Sequence, residues 1–307
     1  MFKILKQLAT GVFLVAPETK PKYPYANCMY IDDDIPTVID LGAGGRAFQA
    51  IAGPNVQILF ISHFHFDHLH GDSFFPAAKL YAGVEESPIY NDQQAYLHFH
   101  GYDLWNTLMP GIKRQGYATV IPMPEDVPVN PGFRNIPLEK TFQDGDQFTL
   151  GKYIIQAVHL PGHTVGHYGF YLEKEGILFS GDIDLVASGP WYSSFSADVG
   201  DLIASVEKIK LINPRIIVPS HRHIQTENIF KNLAQYIQVV LDRQDTIFEL
   251  LKNPMSIDTL ASYRMVFPRQ GNVYELFWEK MTILNHLNHL LREGLIEKID
   301  GEFYQQL

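Results

Sequence analysis

One stretch limits what this chain can become. From His63 to His70 it runs His-Phe-His-Phe-Asp-His-Leu-His, four imidazoles and one carboxylate in eight positions. An apolar run, Val56-Gln57-Ile58-Leu59-Phe60-Ile61, leads into it and reads as a buried strand. If the chain stays extended past Ser62, His63 and His65 point to one side, and Phe64 and Phe66 point to the other, into apolar packing. Asp67 and His68 then fall where the chain must turn, ahead of Gly71. Two imidazoles face one point, while a carboxylate and a third imidazole face a neighbouring one. That arrangement suits two adjacent metal ions better than one. The competing reading, a histidine-rich surface loop, does not explain why ligand spacing begins at the end of a buried strand.

The 307 residues allow one large domain and a small one. With 46% hydrophobic and 19% charged residues, a sizeable core is available and disorder is disfavoured. The net charge of -10 argues against general affinity for nucleic acid or anionic membranes. Cys28 is the only cysteine, so there is neither an internal disulfide nor a thiolate metal cluster. The expected location is therefore the reducing cytoplasm. Residues 1–17 place Lys3 and Lys6 before a short apolar run, as a secretory leader would. A first strand is preferred there, because the run contains Gly11 and lacks a small-residue cleavage site. No stretch approaches the length of a transmembrane helix, so a membrane is not expected as a partner.

Strand signals follow at 11–16, 27–31 and 36–40, the last ending in the turn Asp40-Leu41-Gly42-Ala43-Gly44-Gly45. That turn lacks the Gly-Lys-Ser/Thr ending of a phosphate loop and reads as a tight turn beside a site. A short helix is expected over 46–51, a strand over 78–81, and a ring-rich helical insertion over 85–115. His98 and His100 in the insertion repeat a one-residue spacing without a following carboxylate, so they read as ordinary amphipathic positions. Further strands are expected at 147–149, 153–158, 167–173 and 177–180. Short strands with helices between and outside them suggest two sheets packed face to face under helical layers.

Three more strand ends present a metal-ligating side chain. His163 sits in the Pro-Gly turn of Leu160-Pro161-Gly162-His163-Thr164-Val165-Gly166-His167. Asp182 follows Ile177-Leu178-Phe179-Ser180-Gly181, and His221 follows Ile216-Ile217-Val218-Pro219-Ser220. Each alone is a weak signal, but together they point to a shared metal site. Taken with His63-x-His65-x-Asp67-His68 and the early Asp40-Leu41-Gly42, they make the chain resemble the metallo-β-lactamase superfamily over 11–223. The resemblance implies an α+β fold, a four-layer αββα sandwich with the site at one edge of both sheets. It implies one metal on His63, His65 and His163, a second on Asp67, His68 and His221, and Asp182 bridging the two. Two divalent ions are expected, zinc first, with iron or manganese as alternatives.

Some residues depart from the family pattern. His70 stands where glycine is common, and reads as either a supporting or an exposed residue. Asp182 stands where the first class of true β-lactamases has cysteine, which points to the family's other hydrolases. The 162–167 stretch looks like that of glyoxalase II. The implied activity is hydrolysis of an acyl ester, thioester or lactone by a hydroxide held between two ions, with Asp67 in the catalytic role. The alternatives are a nuclease or phosphodiesterase, or a non-enzymatic metal-containing sensor. Trp191, Tyr192 and His223 are the candidate substrate-binding residues for a small molecule.

The expected division is a catalytic domain over 1–225 and a C-terminal helical domain over 226–307. A long helix over 226–252, an N-cap at Ser256, a helix over 273–293 stopped by Gly294 and a hairpin at Asp300-Gly301 resemble a winged helix. From Lys231 onward this part has eight basic and ten acidic residues. Nucleic acid is therefore disfavoured as its partner, and packing, a homodimer contact or pocket closure is preferred.

Overall fold

Neighbouring residues on the buried strands belong to different cores, which is what period-two geometry produces in a sheet covered on both faces. Val38 and Leu59 join one apolar cluster, and Ile39 and Phe60 join another. In the second sheet, Phe179 and Val218 share the cluster of Ile39 and Phe60, whereas Leu178 and Ile217 face a third. The molecule is thus layered helix, sheet, sheet, helix. The computed structural model describes residues 4–51, 55–269 and 271–307.

The first sheet has seven strands in sequential order: β1 (Leu5–Ala9), β2 (Val12–Val15), β3 (Cys28–Ile31), β4 (Thr37–Ile39), β5 (Ile58–Phe60), β6 (Lys79–Gly83) and β7 (Lys140–Phe142). The second has five, β8 (Gln147–Thr149), β9 (Ile154–His159), β10 (Tyr168–Leu172), β11 (Ile177–Gly181) and β12 (Ile216–Pro219), with β12 beside β11 at one edge. β4 and β5 are parallel, as are β11 and β12. Parallel neighbours end at the same edge, so residues 40, 61–68, 182 and 221 emerge together. That is the structural reason for the convergence described below.

Helices α1 (Gly45–Phe48), α2 (Phe66–Leu69), α3 (Gln93–Phe99), α4 (Trp105–Leu108) and α5 (Tyr117–Val120) lie between the strands of the first sheet. Phe48, Leu69 and the partly buried Phe99 pack in its outer cluster. On the far side, α6 (Val199–Ile212) and α7 (Ile229–Leu250) cover the second sheet through Leu202, Val206, Leu233, Tyr236 and Val240. The end of α7 turns to another cluster, where Ile247 and Leu251 meet Leu260, Ile283 and Leu287. α7 is therefore shared between the sandwich and the C-terminal region. That region adds β13 (Met255–Ser256), α8 (Ile257–Ala261), α9 (Val273–Arg292) and the hairpin β14 (Ile296–Ile299)–β15 (Phe303–Gln306).

The Ser256 hydroxyl accepts from Thr259 N–H at the start of α8. Gly294 follows α9 at φ 67°, and the hairpin turns on Asp300 and Gly301 at φ 49° and 72°, the left-handed pair a type I′ turn needs. Two elements lack a sequence signal of their own: β1 exposes Lys6 and Gln7, and β7 is three residues long. α6 carries one that the expectations above did not use, an N-cap at Asp198 and apolar residues at 199, 202, 206 and 209. Lys3 of the leader-like stretch lies outside the described residues, and β1 and β2 occupy the rest of its apolar part.

Candidate metal centre

Past β5 the backbone bends over residues 62–64, is extended at His65 (φ -65°, ψ 149°) and enters α2 at Phe66. A bend thus replaces the strict alternation expected past Ser62, yet it still brings His63 and His65 together, and Asp67 and His68 lie on the first helical turn. The turn between β9 and β10 brings His163 to them. His63 Nε2 lies 2.9 Å from His65 Nδ1, and His163 Nε2 lies 3.1 Å from His63 Nε2 and 2.9 Å from His65 Nδ1.

Their outer contacts fix what these nitrogens carry. The Trp191 carbonyl, 2.6 Å away, can only accept, so His163 Nδ1 bears the hydrogen and Nε2 a lone pair. The Ser62 hydroxyl donates to Asp40 Oδ2 at 2.7 Å, so it accepts from His63 Nδ1 at 3.0 Å, and His63 Nε2 is again a lone pair. Burial holds the pKa values of all three imidazoles below the usual value. Lone pairs aimed at one another at this spacing repel unless a cation lies between them, and three converging imidazoles are a fit for a divalent ion.

A second group lies beside the first. Asp67 Oδ2 is 3.3 Å from His221 Nε2, and Asp67 Oδ1 is 4.0 Å from His68 Nε2. Asp182 faces both groups, one oxygen to each. Its Oδ2 lies 3.3 Å from His163 Nε2 and 4.0 Å from His63 Nε2; its Oδ1 lies 3.0 Å from His68 Nε2 and 3.4 Å from His221 Nε2. Among the described residues, His65 Nε2 and His221 Nδ1 are buried without a hydrogen-bond partner. Burial opposes a proton on His68, yet Asp182 and Asp40 raise its pKa well above the usual value. Burial likewise opposes one on His221, and Asp182 and Asp184 raise it. Burial works against the charge on Asp182, but His221 and His68 keep its pKa well below the carboxylate range. This second group thus favours positive charge in its midst. His63, His65, His163 and Asp182 form one set of ligand atoms within 4.8 Å of one another, and Asp67, His68 and His221 form another.

Four supporting residues surround the ligands, of which Asp40 was already marked in the sequence as part of the family motif. Asp40, at φ 59° just past β4, accepts from Ser62 N–H at 2.7 Å, from the Ser62 hydroxyl, and from His68 Nδ1 at 2.6 Å. Its turn passes so close to α2 that a Cβ on Gly42 would stand 1.7 Å from the Asp67 carbonyl oxygen. Asp184 accepts from His221 N–H at 2.7 Å, and burial pushes its pKa up to about 7. The imidazole of His167 donates from Nδ1 to the Leu160 carbonyl at 2.9 Å, and its Nε2 accepts from Asp182 N–H at 3.0 Å. Glu86 accepts from Phe64 N–H and Gly166 N–H, both at 2.9 Å, and from the Thr164 hydroxyl. It thereby ties the loop of His63 and His65 to the loop of His163. The Asp-x-Asp spacing after β11 is a usable signal for Asp184; Glu86 has none, because nothing distinguishes it from other acids of the insertion.

The remaining candidates separate. Trp191 is half-buried, with its ring 5.1 Å from that of His65. Tyr192 is 1% exposed and its hydroxyl is committed to His286 and Arg243, so it packs inside the molecule instead of facing a substrate. His223 is exposed. His70 is buried, with Nε2 3.0 Å from the Pro24 carbonyl. His98 pairs with Asp103 at the surface, and His100 donates to the Tyr96 carbonyl.

A family model described as "Metallo-beta-lactamase superfamily" matches residues 24–221. Among curated proteins, the chain is 28% identical over 290 residues to a "Beta-lactamase-like protein 2 homolog" of Caenorhabditis elegans, covering 91% of this chain and 80% of that one. It is 23% identical over 251 residues to an acyl-coenzyme A thioesterase of Gallus gallus (76% and 85% covered). It is 27% identical over 199 residues to a hydroxyacylglutathione hydrolase of Haemophilus influenzae (62% and 82% covered). A metallo-beta-lactamase family protein of Thermus thermophilus superposes with a TM-score of 0.75 at 20% identity, covering 98% of this chain and 100% of the other. That structural likeness reaches beyond the matched domain into the C-terminal helices.

Proposed function

The chain belongs to the metallo-beta-lactamase superfamily, and from that premise we propose that it is a two-metal hydrolase of acyl thioesters. The observation that carries the reading is Asp182, whose two oxygens face two separate ligand groups. In this reading His63, His65 and His163 would hold one divalent ion and Asp67, His68 and His221 the other, with Asp182, which faces both groups, available to each. When bound, such ions supply Lewis acidity, which makes water nucleophilic near neutral pH and polarises a carbonyl.

The chain's own residues do the rest. Asp40 turns His68 so that its lone pair faces the site, and the Trp191 carbonyl does the same for His163. Asp67 accepts the proton of the attacking water. A thiolate leaves without prior protonation, since a thiol has a pKa of about 8.5. A thioester therefore needs no separate acid opposite the nucleophile, whereas an amide does. Two of the relatives named above support this substrate class, because an acyl-coenzyme A thioesterase and a hydroxyacylglutathione hydrolase both act on thioesters.

The test is a hydrolysis panel on enzyme loaded separately with zinc, iron or manganese: acyl-coenzyme A and acylglutathione thioesters, lactones, phosphodiesters, RNA and a β-lactam. Thioesters are expected to give the highest kcat/KM. Cleavage of RNA or phosphodiesters without thioester turnover would overturn the assignment.

A further inference from the structure

A series of aromatic rings runs from His65 and returns to its neighbour Phe66. Trp191 lies 5.1 Å from His65, Trp278 5.7 Å from Trp191, Tyr117 5.4 Å from Trp278, Tyr23 5.6 Å from Tyr117, and Phe66 6.2 Å from Tyr23, measured between ring centroids. Phe66 directly follows His65, so the series closes.

The five rings come from five distant segments: the loop before β3, the start of α2, α5, the loop after β11, and α9. Trp278 and Tyr23 lie outside the residues 24–221 that match the family. All five are half-buried, whereas Tyr274 and Phe277, on the same helix as Trp278, are fully buried. Rings that only complete a core are covered on every side. These keep an uncovered part, and the series begins on the ring of His65, so an apolar group could stack on it next to the ligand groups.

The C-terminal helix also holds the Trp191 loop in place. Asn285 Nδ2 donates to the Tyr192 and Ser194 carbonyls at 3.0 Å each, and Thr282 and Ser193 hydroxyls meet at 2.8 Å.

We propose that this collar binds the acyl group and selects a bulky apolar one over acetyl or a hydroxyacyl group, with Trp278 of the C-terminal helix as a specificity residue. The proposal rests on the thioesterase reading above. A lactoyl or acetyl group has too little apolar surface to span rings drawn from five segments, whereas a medium alkyl or aryl group can stack on them.

The experiment compares kcat/KM of the metal-loaded full chain for decanoyl-, benzoyl- and acetyl-coenzyme A and for S-lactoylglutathione, in wild type, Trp278→Ala and Trp278→Leu. Wild type should favour the decanoyl and benzoyl substrates, and Trp278→Ala should reduce that preference by about tenfold or more, mainly through KM. A wild type that prefers acetyl or lactoyl, or a Trp278→Ala that slows every thioester in equal proportion, overturns the collar while leaving the thioesterase reading intact. If Trp278→Ala does not fold, Trp278→Leu and Tyr117→Ala carry the comparison. If wild type cleaves no thioester, the thioesterase reading fails by itself. The collar is then judged by decanoate binding, read from tryptophan fluorescence: saturable binding weakened in Trp278→Leu supports it, and no binding overturns it.

Discussion

Asp182 and Asp67 are both acids in the cluster, but their positions differ. Asp182 faces both ligand groups, and Asp67 faces only His68 and His221. Asp182→Ala should therefore lower the metal content of both groups, while Asp67→Ala should leave the group of His63, His65 and His163 largely filled. Both should cut kcat by several orders of magnitude, with the double variant scarcely worse than either single one. Elemental analysis beside kcat checks this, and an Asp182→Ala protein that loses only one metal contradicts the shared role. At this scale the candidate site was largely legible, since each of its seven ligand candidates stands at or just past a strand end in the sequence. Of the supporting shell only Asp40 was legible, as part of the Asp40-Leu41-Gly42 motif. Asp184 and Glu86 act by accepting specific N–H and O–H groups from residues up to 80 positions away, and a single sequence does not reveal such pairings.

Among the elements, α9 joins the most distant parts of the chain. Its period, its stop at Gly294 and the hairpin after it could be read directly. Its polar inner face could not, because Thr282, Asn285 and His286 find their partners about 90 residues upstream, in the 192–194 loop. Asn285→Ala leaves two carbonyls without that donor and should destabilise the protein by about 1–3 kcal/mol. It should also weaken metal binding at His163, whose orienting carbonyl, Trp191, begins the same loop. Urea unfolding and metal titration measure the two effects. A variant as stable as wild type, with unchanged metal affinity, would show that α9 merely rests against the loop. The orientation of α9 also bears on the winged-helix resemblance: Glu279, Lys280, Thr282, Asn285 and His286 are all buried, so its polar residues are directed into the molecule.

Across the whole molecule, the layered arrangement followed from short strands with helices between and outside them, and the strands without a pattern of their own, β1 and β7, lie at the two edges of the first sheet. The layers also bury histidines outside the ligand groups. Burial lowers His100 to about 4 and holds His286 well below its usual value. An unfolded chain returns each to about 6.5. Between those values the unfolded state binds the extra protons, so stability rises with pH and is lost as pH falls below about 6.5. The urea midpoint should be nearly level from pH 8 to 7 and decline from pH 6.5 toward 5, with a shallower decline in His286→Gln. A midpoint independent of pH over that range would contradict the assignment. Glu86 has a consequence at this same scale. By clasping Phe64, Thr164 and Gly166 it joins one loop from each sheet, so the spacing of His63, His65 and His163 is cast when the two sheets close. The first site is then a mould of fixed aperture, and an incoming ion must match it by size and coordination preference instead of drawing the loops around itself.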